Sequence, residues 1–242
     1  MKGQGATLLP RHHIRRIAKH MEEMTIRALE QCPLFTGMNR PEIEAAMTDE
    51  GYRLVHFDRH DIYILTGMPY KSADIVVSGA LVCRMSSLSG KQVEVSRLHP
   101  GEIVAPAFIF GKDYNMPVSV ETESDVTVLR MQKPTFRALI ASDDRIMDNY
   151  IRVLSNINVF LIHRMRVLSL FTVREKVTYL LMERAGEQGS NVIHLNRSRQ
   201  EIADSFGIQK YSLLRVIADF VKQGAIKVDG REITILDRSK MK

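Results

Sequence analysis

Three patterns in the sequence predict an α+β fold made of a β jelly-roll barrel, a long helix and a C-terminal winged helix-turn-helix. Short β-rich runs separated by turn residues fill the first half of the chain. A stretch without glycine or proline follows, apolar at alternating spacings of four and three. The end of the chain then reads helix, turn, helix, hairpin.

The 242 residues, 45% of them hydrophobic, suffice for two domains with separate cores. A net charge of +6 suits a polyanionic partner. Two cysteines, Cys32 and Cys83, cannot build a disulfide framework or a four-cysteine cluster, which points to a reducing, cytoplasmic setting. No apolar run is long enough to span a bilayer, so no membrane contact is expected. Residues 1–24 form a basic extension in which Arg11, His12, His13, Arg15, Arg16, Lys19 and His20 crowd together. No apolar segment follows them, so the extension is not a secretory signal. It reads as a frayed tail, as a start site placed ahead of Met21 or Met24, or as a basic helix touching nucleic acid.

Residues 25–142 form the barrel region. A helix is expected over 25–31 and another over 41–47, where Asn39 caps and Pro41 suits a first turn. Strands are expected at 52–57, 62–65, 75–77, 80–85, 92–97, 118–121 and 126–131. Gly67, Ser78-Gly79, Ser89-Gly90, Pro100-Gly101 and Gly111 punctuate them. Residues 143–171 carry the long helix. Met147, Ile151, Leu154, Asn158, Leu161, Met165 and Leu168 make an a/d heptad seam. Asn158 falls at an a position, where one polar residue can select register and a two-stranded state. The same stripe also fits a helix packed on its own barrel, because Val153, Ile157, Phe160 and Ile162 widen it. Thr172 with Glu175 reads as a capping box that opens a new helix, which places a hinge at 171–173.

Within residues 172–242 a second capping box, Ser198 with Glu201, starts a helix over 199–206 whose Ile202, Ala203 and Phe206 share a face. Gly207 supplies a tight turn. Residues 209–223 form the next helix, with Leu213, Leu214, Val216, Ile217, Phe220 and Val221 expected in the core, and Gly224 stopping it. Asp229-Gly230 is expected as the two-residue turn of the hairpin. This is a winged helix-turn-helix, a reader of double-stranded DNA whose second helix meets bases with its N-terminal end. Gln209, Lys210, Tyr211, Ser212 and Arg215 are the base-reading candidates. Arg215 suits guanine and Gln209 adenine. Arg199, Gln200, Lys222 and Arg231 complete the DNA set, with Arg199, Lys222 and Arg231 best placed for phosphates.

In this order of parts the chain resembles the CRP/FNR family of bacterial transcription regulators from residue 25 onward. The resemblance rests on Leu65-Thr66-Gly67, Ile75-Val76-Val77-Ser78-Gly79, Leu98-His99-Pro100-Gly101-Glu102 and Arg199-Gln200-Glu201-Ile202-Ala203. It implies a cyclic-nucleotide-binding-like barrel and a homodimer joined along the long helix. It also implies a palindromic operator with half-sites one helical turn apart, and RNA polymerase as a partner if the chain activates. Where members that bind cyclic AMP carry Gly-Glu and Arg-Ser pairs, this chain has Ala105-Pro106 and Met116-Pro117. Their Thr-Ser pair on the long helix becomes Leu161-Ile162. A phosphate buried without a cation is strongly disfavoured, so cyclic AMP is not expected.

An iron–sulfur cluster is not expected either, since Cys32 alone lies near the start of the barrel. A thiol sensor at Cys32 or Cys83 is a weaker reading than two buried hydrophobes. The expected effector pocket is apolar: Val104, Ala105, Pro106, Ala107, Phe108, Met116, Pro117, Leu161 and Ile162, with Met165 nearby. The texture is similar to the haem and nitric-oxide-responsive branch, including regulators of the hybrid cluster protein. That makes haem a candidate cofactor, and Met68, Met116, Met147 and His163 candidate axial ligands. Each is also an ordinary packing residue, and another apolar or anionic metabolite, or no ligand, remains open. The sequence holds no nucleophile–base pair, metal cluster or phosphate loop, so an enzyme is not expected. A small-molecule-binding protein whose output is not DNA binding is the other reading.

Overall fold

A computed structural model describes residues 23–47, 51–86, 92–113 and 115–241. The basic extension up to residue 22 and the Ser89-Gly90-Lys91 turn lie outside the described residues. The chain divides into two compact units, the first ending at Ile157 and the second beginning at Asn158.

The first unit opens with helix α1 over residues 23–31 and a short 3-10 turn, Pro33–Phe35. Helix α2, Arg40–Ala46, starts where the sequence predicts: the Asn39 side chain accepts from the Glu42 amide, and the Glu42 carboxylate accepts from the Asn39 amide. Seven strands follow: β1 Tyr52–Phe57, β2 Ile62–Ile64, β3 Ser72–Ser78, β4 Leu81–Ser86, β5 Gln92–Leu98, β6 Ser119–Thr122 and β7 Val126–Gln132. They form two antiparallel sheets, ordered β1-β7-β3 and β2-β6-β4-β5. Each expected run becomes a strand, with ends shifted by up to three residues. β7 is the central strand of its sheet, and its apolar residues Val126, Val128 and Leu129 are fully buried. Gly79 takes φ +79, and a Cβ there would strike the Asp125 carbonyl, so only glycine closes this β3–β4 turn.

Helix α3, Lys133–Ser142, was not foreseen. Pro134 in its first turn and buried Phe136 and Leu139 at i, i+3 are the signals that mark it. Helix α4, Asp144–Leu170, is the expected long helix. Its Ile146 and Tyr150 join the core of the first unit, whereas Val167 joins the core of the second.

The second unit begins within α4. Thr172 and Glu175 form the predicted reciprocal cap of helix α5, Val173–Gln188, which ends on Gly189. Strand β8, Val192–His194, was also missed, being too short to show a period. Ser198 and Glu201 cap helix α6, Arg199–Ser205, and Gly207 turns the chain with φ +62. Helix α7, Lys210–Lys222, follows, and strands β9 Ile226–Asp229 and β10 Glu232–Ile235 complete a sheet ordered β8-β10-β9.

Two expectations need correction. Leu213, Ile217 and Phe220 are buried and Val216 packs against them, but Leu214 and Val221 are exposed. The buried arc of α7 is therefore narrower than its apolar residues suggest. The hairpin turn is also shifted by one residue. Asp229 pairs with Glu232, which leaves Gly230-Arg231 as the loop. Glycine with positive φ at the first loop position matches a type II′ turn rather than the I′ turn of Asp-Gly.

Candidate nucleic-acid interface and barrel pocket

The α6–α7 pair is built so that one face of α7 is held in the core and the opposite face is open. Leu213, Ile217 and Phe220 fasten α7 down. On the other side Lys210, Tyr211 and Arg215 are exposed, Tyr211 at 74%, and Gln209 stands at the N-cap with no side-chain capping bond. Ser212 is half-buried, and Lys222 is exposed one helical length further on. No ion pair ties Lys210, Arg215, Lys222 or Arg231 among the described residues. These cations are available to phosphates and base edges, and the free amides at the start of α7 add a favourable field for an anion.

Two members of the predicted set behave differently. Arg199 is half-buried and donates from Nη2 to the Gly230 carbonyl at 3.1 Å, so it braces the wing tip against α6. Burial alone pulls its basicity down from the usual arginine value. Gln200 donates to Asp204 at 2.9 Å along α6. Arg174, at the start of α5, is likewise used internally: it stacks on Phe220 at 4.5 Å and donates to Gln223 and to the Lys240 carbonyl.

In the first unit, Val104 and Met116 are buried in the core, Ala105, Pro106 and Phe108 are half-buried, and Ala107 and Pro117 are exposed. Ala105 takes φ +46, a left-handed conformation that costs a residue with a Cβ about 1–2 kcal/mol. The neighbouring Pro106 carbonyl accepts from the Tyr150 hydroxyl of α4 at 2.9 Å. Leu161 and Ile162 lie in the part of α4 that belongs to the second unit, and both are exposed.

Of the four candidate haem ligands, Met68 and Met116 are brought side by side. The Met116 amide donates to the Met68 carbonyl at 2.9 Å, and the Gly67 amide donates to the Met116 carbonyl at 2.8 Å. Met116 is packed in the core, Met68 is half exposed, and Met147 and His163 are exposed on α4. An axial ligand must present its donor to an open face, which Met116, packed in the core, does not, whereas Met68, Met147 and His163 are exposed.

Sequence reasoning missed a polar cluster inside the first unit. Asp74 on β3 is fully buried and sits opposite Arg130 on β7. Arg130 Nη2 and Nε donate to the Asp74 carboxylate at 2.6 and 2.9 Å, and the Tyr63 hydroxyl also donates to it. The guanidinium further faces the rings of Phe57 and Tyr63. Burial opposes the charge on Arg130, but the Asp74 contact outweighs it and raises the basicity of Arg130. The two cysteines are buried thiols. Desolvation pushes Cys32 up to about 12 and raises Cys83, which suppresses the thiolate needed for redox chemistry. No cluster of metal-ligating side chains occurs among the described residues. None of their helices is long and apolar enough to cross a membrane.

Two antiparallel sheets, a long helix with an exposed apolar stripe and a winged helix-turn-helix with exposed cations are the parts of a DNA-binding regulator. Residues 54–143 match the model of the cyclic nucleotide-binding domain, and residues 175–242 match the Crp-like helix-turn-helix domain. The chain belongs to the CRP/FNR family of transcription regulators. A CRP-like cAMP-activated global transcriptional regulator of Mycobacterium tuberculosis is 23% identical over 226 residues, covering 91% of this chain and 98% of that protein. A CooA mutant from Carboxydothermus hydrogenoformans shares the fold with TM-score 0.62 at 17% identity, covering 86% of this chain and 95% of the other. The Thermus thermophilus catabolite activator protein does so with TM-score 0.53 at 18% identity, covering 86% and 96%.

Proposed function

We propose that the chain acts as a homodimer that reads a two-fold symmetric operator, with its affinity set by a signal other than cyclic AMP received in the barrel. The observation that carries this is the uncovered seam of α4. Met147, Ile151, Leu161, Met165 and Leu168 are exposed in the single chain, Leu161 at 56% and Met165 at 62%. Leu154 is the exception, being half-buried against the first unit's core. A contiguous apolar stripe at a and d positions is stabilised by burial against a partner, and a second copy supplies the matching seam. Replacing Leu161 and Met165 with aspartate should convert dimers to monomers in sedimentation experiments. Dimers that persist would place the interface elsewhere.

The base-reading group is Gln209, Lys210, Tyr211, Ser212 and Arg215, with Lys222 and Arg231 on phosphates. The pocket residues argue against cyclic AMP, because Ala105-Pro106 and Met116-Pro117 supply neither a hydroxyl acceptor nor a cation. The strained Ala105 backbone and the Pro106–Tyr150 bond support this loop as the place where a signal meets α4. Haem is the second reading, favoured by the exposed thioether of Met68. Bound there, haem would supply a gas-responsive axial site, with Met68 as its protein ligand. Protein reconstituted with haem should show a sharp, stoichiometric Soret band that shifts with nitric oxide and is lost in Met68→Ala. A broad, non-stoichiometric band would remove this reading and leave another apolar ligand.

A further inference from the structure

Helix α6 ends with its last carbonyls facing inward, and two cations from outside the helix-turn-helix meet them. Lys176, on the first turn of α5, is only 8% exposed. Its ammonium donates to the Leu168 carbonyl in the last turn of α4 at 3.0 Å and to the Phe206 carbonyl at 3.3 Å. Arg164, two turns from the end of α4, donates from Nη2 to the Ser205 carbonyl at 2.8 Å, and its guanidinium lies 4.8 Å from the centre of the Phe206 ring.

The physical logic is that of helix C-termini. The last carbonyls of a helix have no partner inside it and carry the negative end of its dipole. Lys176 satisfies one such carbonyl on each of two helices, so both negative ends share one buried cation. Phe206 caps α6 and immediately precedes Gly207, Ile208 and the N-cap of α7. Whatever holds Phe206 therefore holds the turn that aims α7.

We propose that Arg164 and Lys176 are positioning residues that clasp the helix-turn-helix to the last turns of α4, so that the recognition helix and the seam residues Leu161, Met165 and Leu168 move as one body. The break at Thr172 is then not a joint. The division of the chain at Ile157 and Asn158 agrees with this, because it leaves the end of α4 with the DNA-reading unit. In a homodimer the clasp converts the packing of two seams into a fixed distance between two recognition helices. That consequence rests on the dimer reading above, whereas the clasp itself does not.

The test uses the full-length protein carrying Arg164→Gln and Lys176→Met, singly and together. Hydrogen exchange is followed at Gly207 and Ile208, whose amides donate to Asp204 and Ala203, and at Ile235 in the wing sheet. The double variant should exchange about tenfold faster at the turn, with Ile235 unchanged. Binding is then measured to a duplex that wild-type protein selects from a randomised pool, and to the same duplex with one base pair inserted between half-sites. Wild type should lose about tenfold on the insertion, because the second half-site is rotated out of reach. The double variant should lose less than about twofold while binding an isolated half-site as well as wild type does. Lys176→Arg should keep the wild-type spacing preference. Retained spacing discrimination in the double variant overturns the proposal, as does an equal loss on the isolated half-site. If the double variant fails to fold, Arg164→Gln alone decides by the same two readouts. If wild type selects only single half-sites, the dimer reading fails, and turn exchange alone then supports or overturns the clasp.

Discussion

The two units handle charge in opposite ways. In the first, Asp74 and Arg130 are paired across β3 and β7 with Tyr63 donating to the same carboxylate, and on the other sheet Arg97 is paired with Glu94 and Glu123. Every described buried polar side-chain atom has a partner. In the second, Lys210, Arg215, Lys222 and Arg231 stand in solvent with no ion pair described, while Arg164 and Lys176 are turned inward onto carbonyls. A cation with its partner already inside the fold is a structural element. Cations left exposed to solvent without such a partner add little to the fold and can serve a ligand instead.

This contrast can be broken from either side. The largest effect is expected at Asp74. Asp74→Ala leaves Arg130 part-buried without its counter-charge and should cost roughly 3–5 kcal/mol, read as a fall in denaturation midpoint. A loss below about 1 kcal/mol would show that the pair is only a surface feature. Next comes Arg215→Ala, which should weaken selected-site DNA by about 1–3 kcal/mol and leave thermal stability unchanged, the reverse of the Asp74 result. A smaller effect sharpens the comparison within the second unit. Ser198→Ala removes the oxygen that accepts from the Glu201 amide at 3.2 Å and should cost about 1 kcal/mol of stability. The smallest is acid sensitivity. Glu175 and Glu201 are held below their usual value of 4.5, chiefly by the backbone amides of Thr172 and Ser198. A depressed folded value contributes stability that is complete above the unfolded value and lost as pH falls through the folded one. The melting temperature should therefore start to drop below about pH 4.5, by less in Ser198→Ala, as calorimetry can follow.

Much of this architecture was legible because it is written in local patterns. The barrel strands follow from β-branched runs between turns, and three helix starts follow from Asn39, Thr172 and Ser198 with their partners three residues on. What was illegible depends on tertiary packing. Leu214 and Val221 look like core residues, but the arc that α7 buries is set by the elements beneath it. The wing turn slid to Gly230-Arg231 because β10 pairs on both edges, and those registers override the preference of Asp-Gly. Asp74 and Arg130 lie 56 residues apart, so no spacing could join them. The sequence foresaw which start of helix stands exposed at Lys210, Tyr211 and Arg215, whereas Arg199 took a bracing role that its position in the sequence does not reveal.

The central claim is that the exposed start of α7 reads DNA sequence. Its most direct measurement is a gel shift over a salt series, comparing wild type with Arg215→Ala on a selected duplex and on a scrambled one. Wild type should prefer the selected duplex, with affinity falling steeply as salt rises. Arg215→Ala should lose most of that preference while keeping its binding to scrambled DNA. Equal wild-type affinity for both duplexes, or an unchanged preference in Arg215→Ala, would contradict the account.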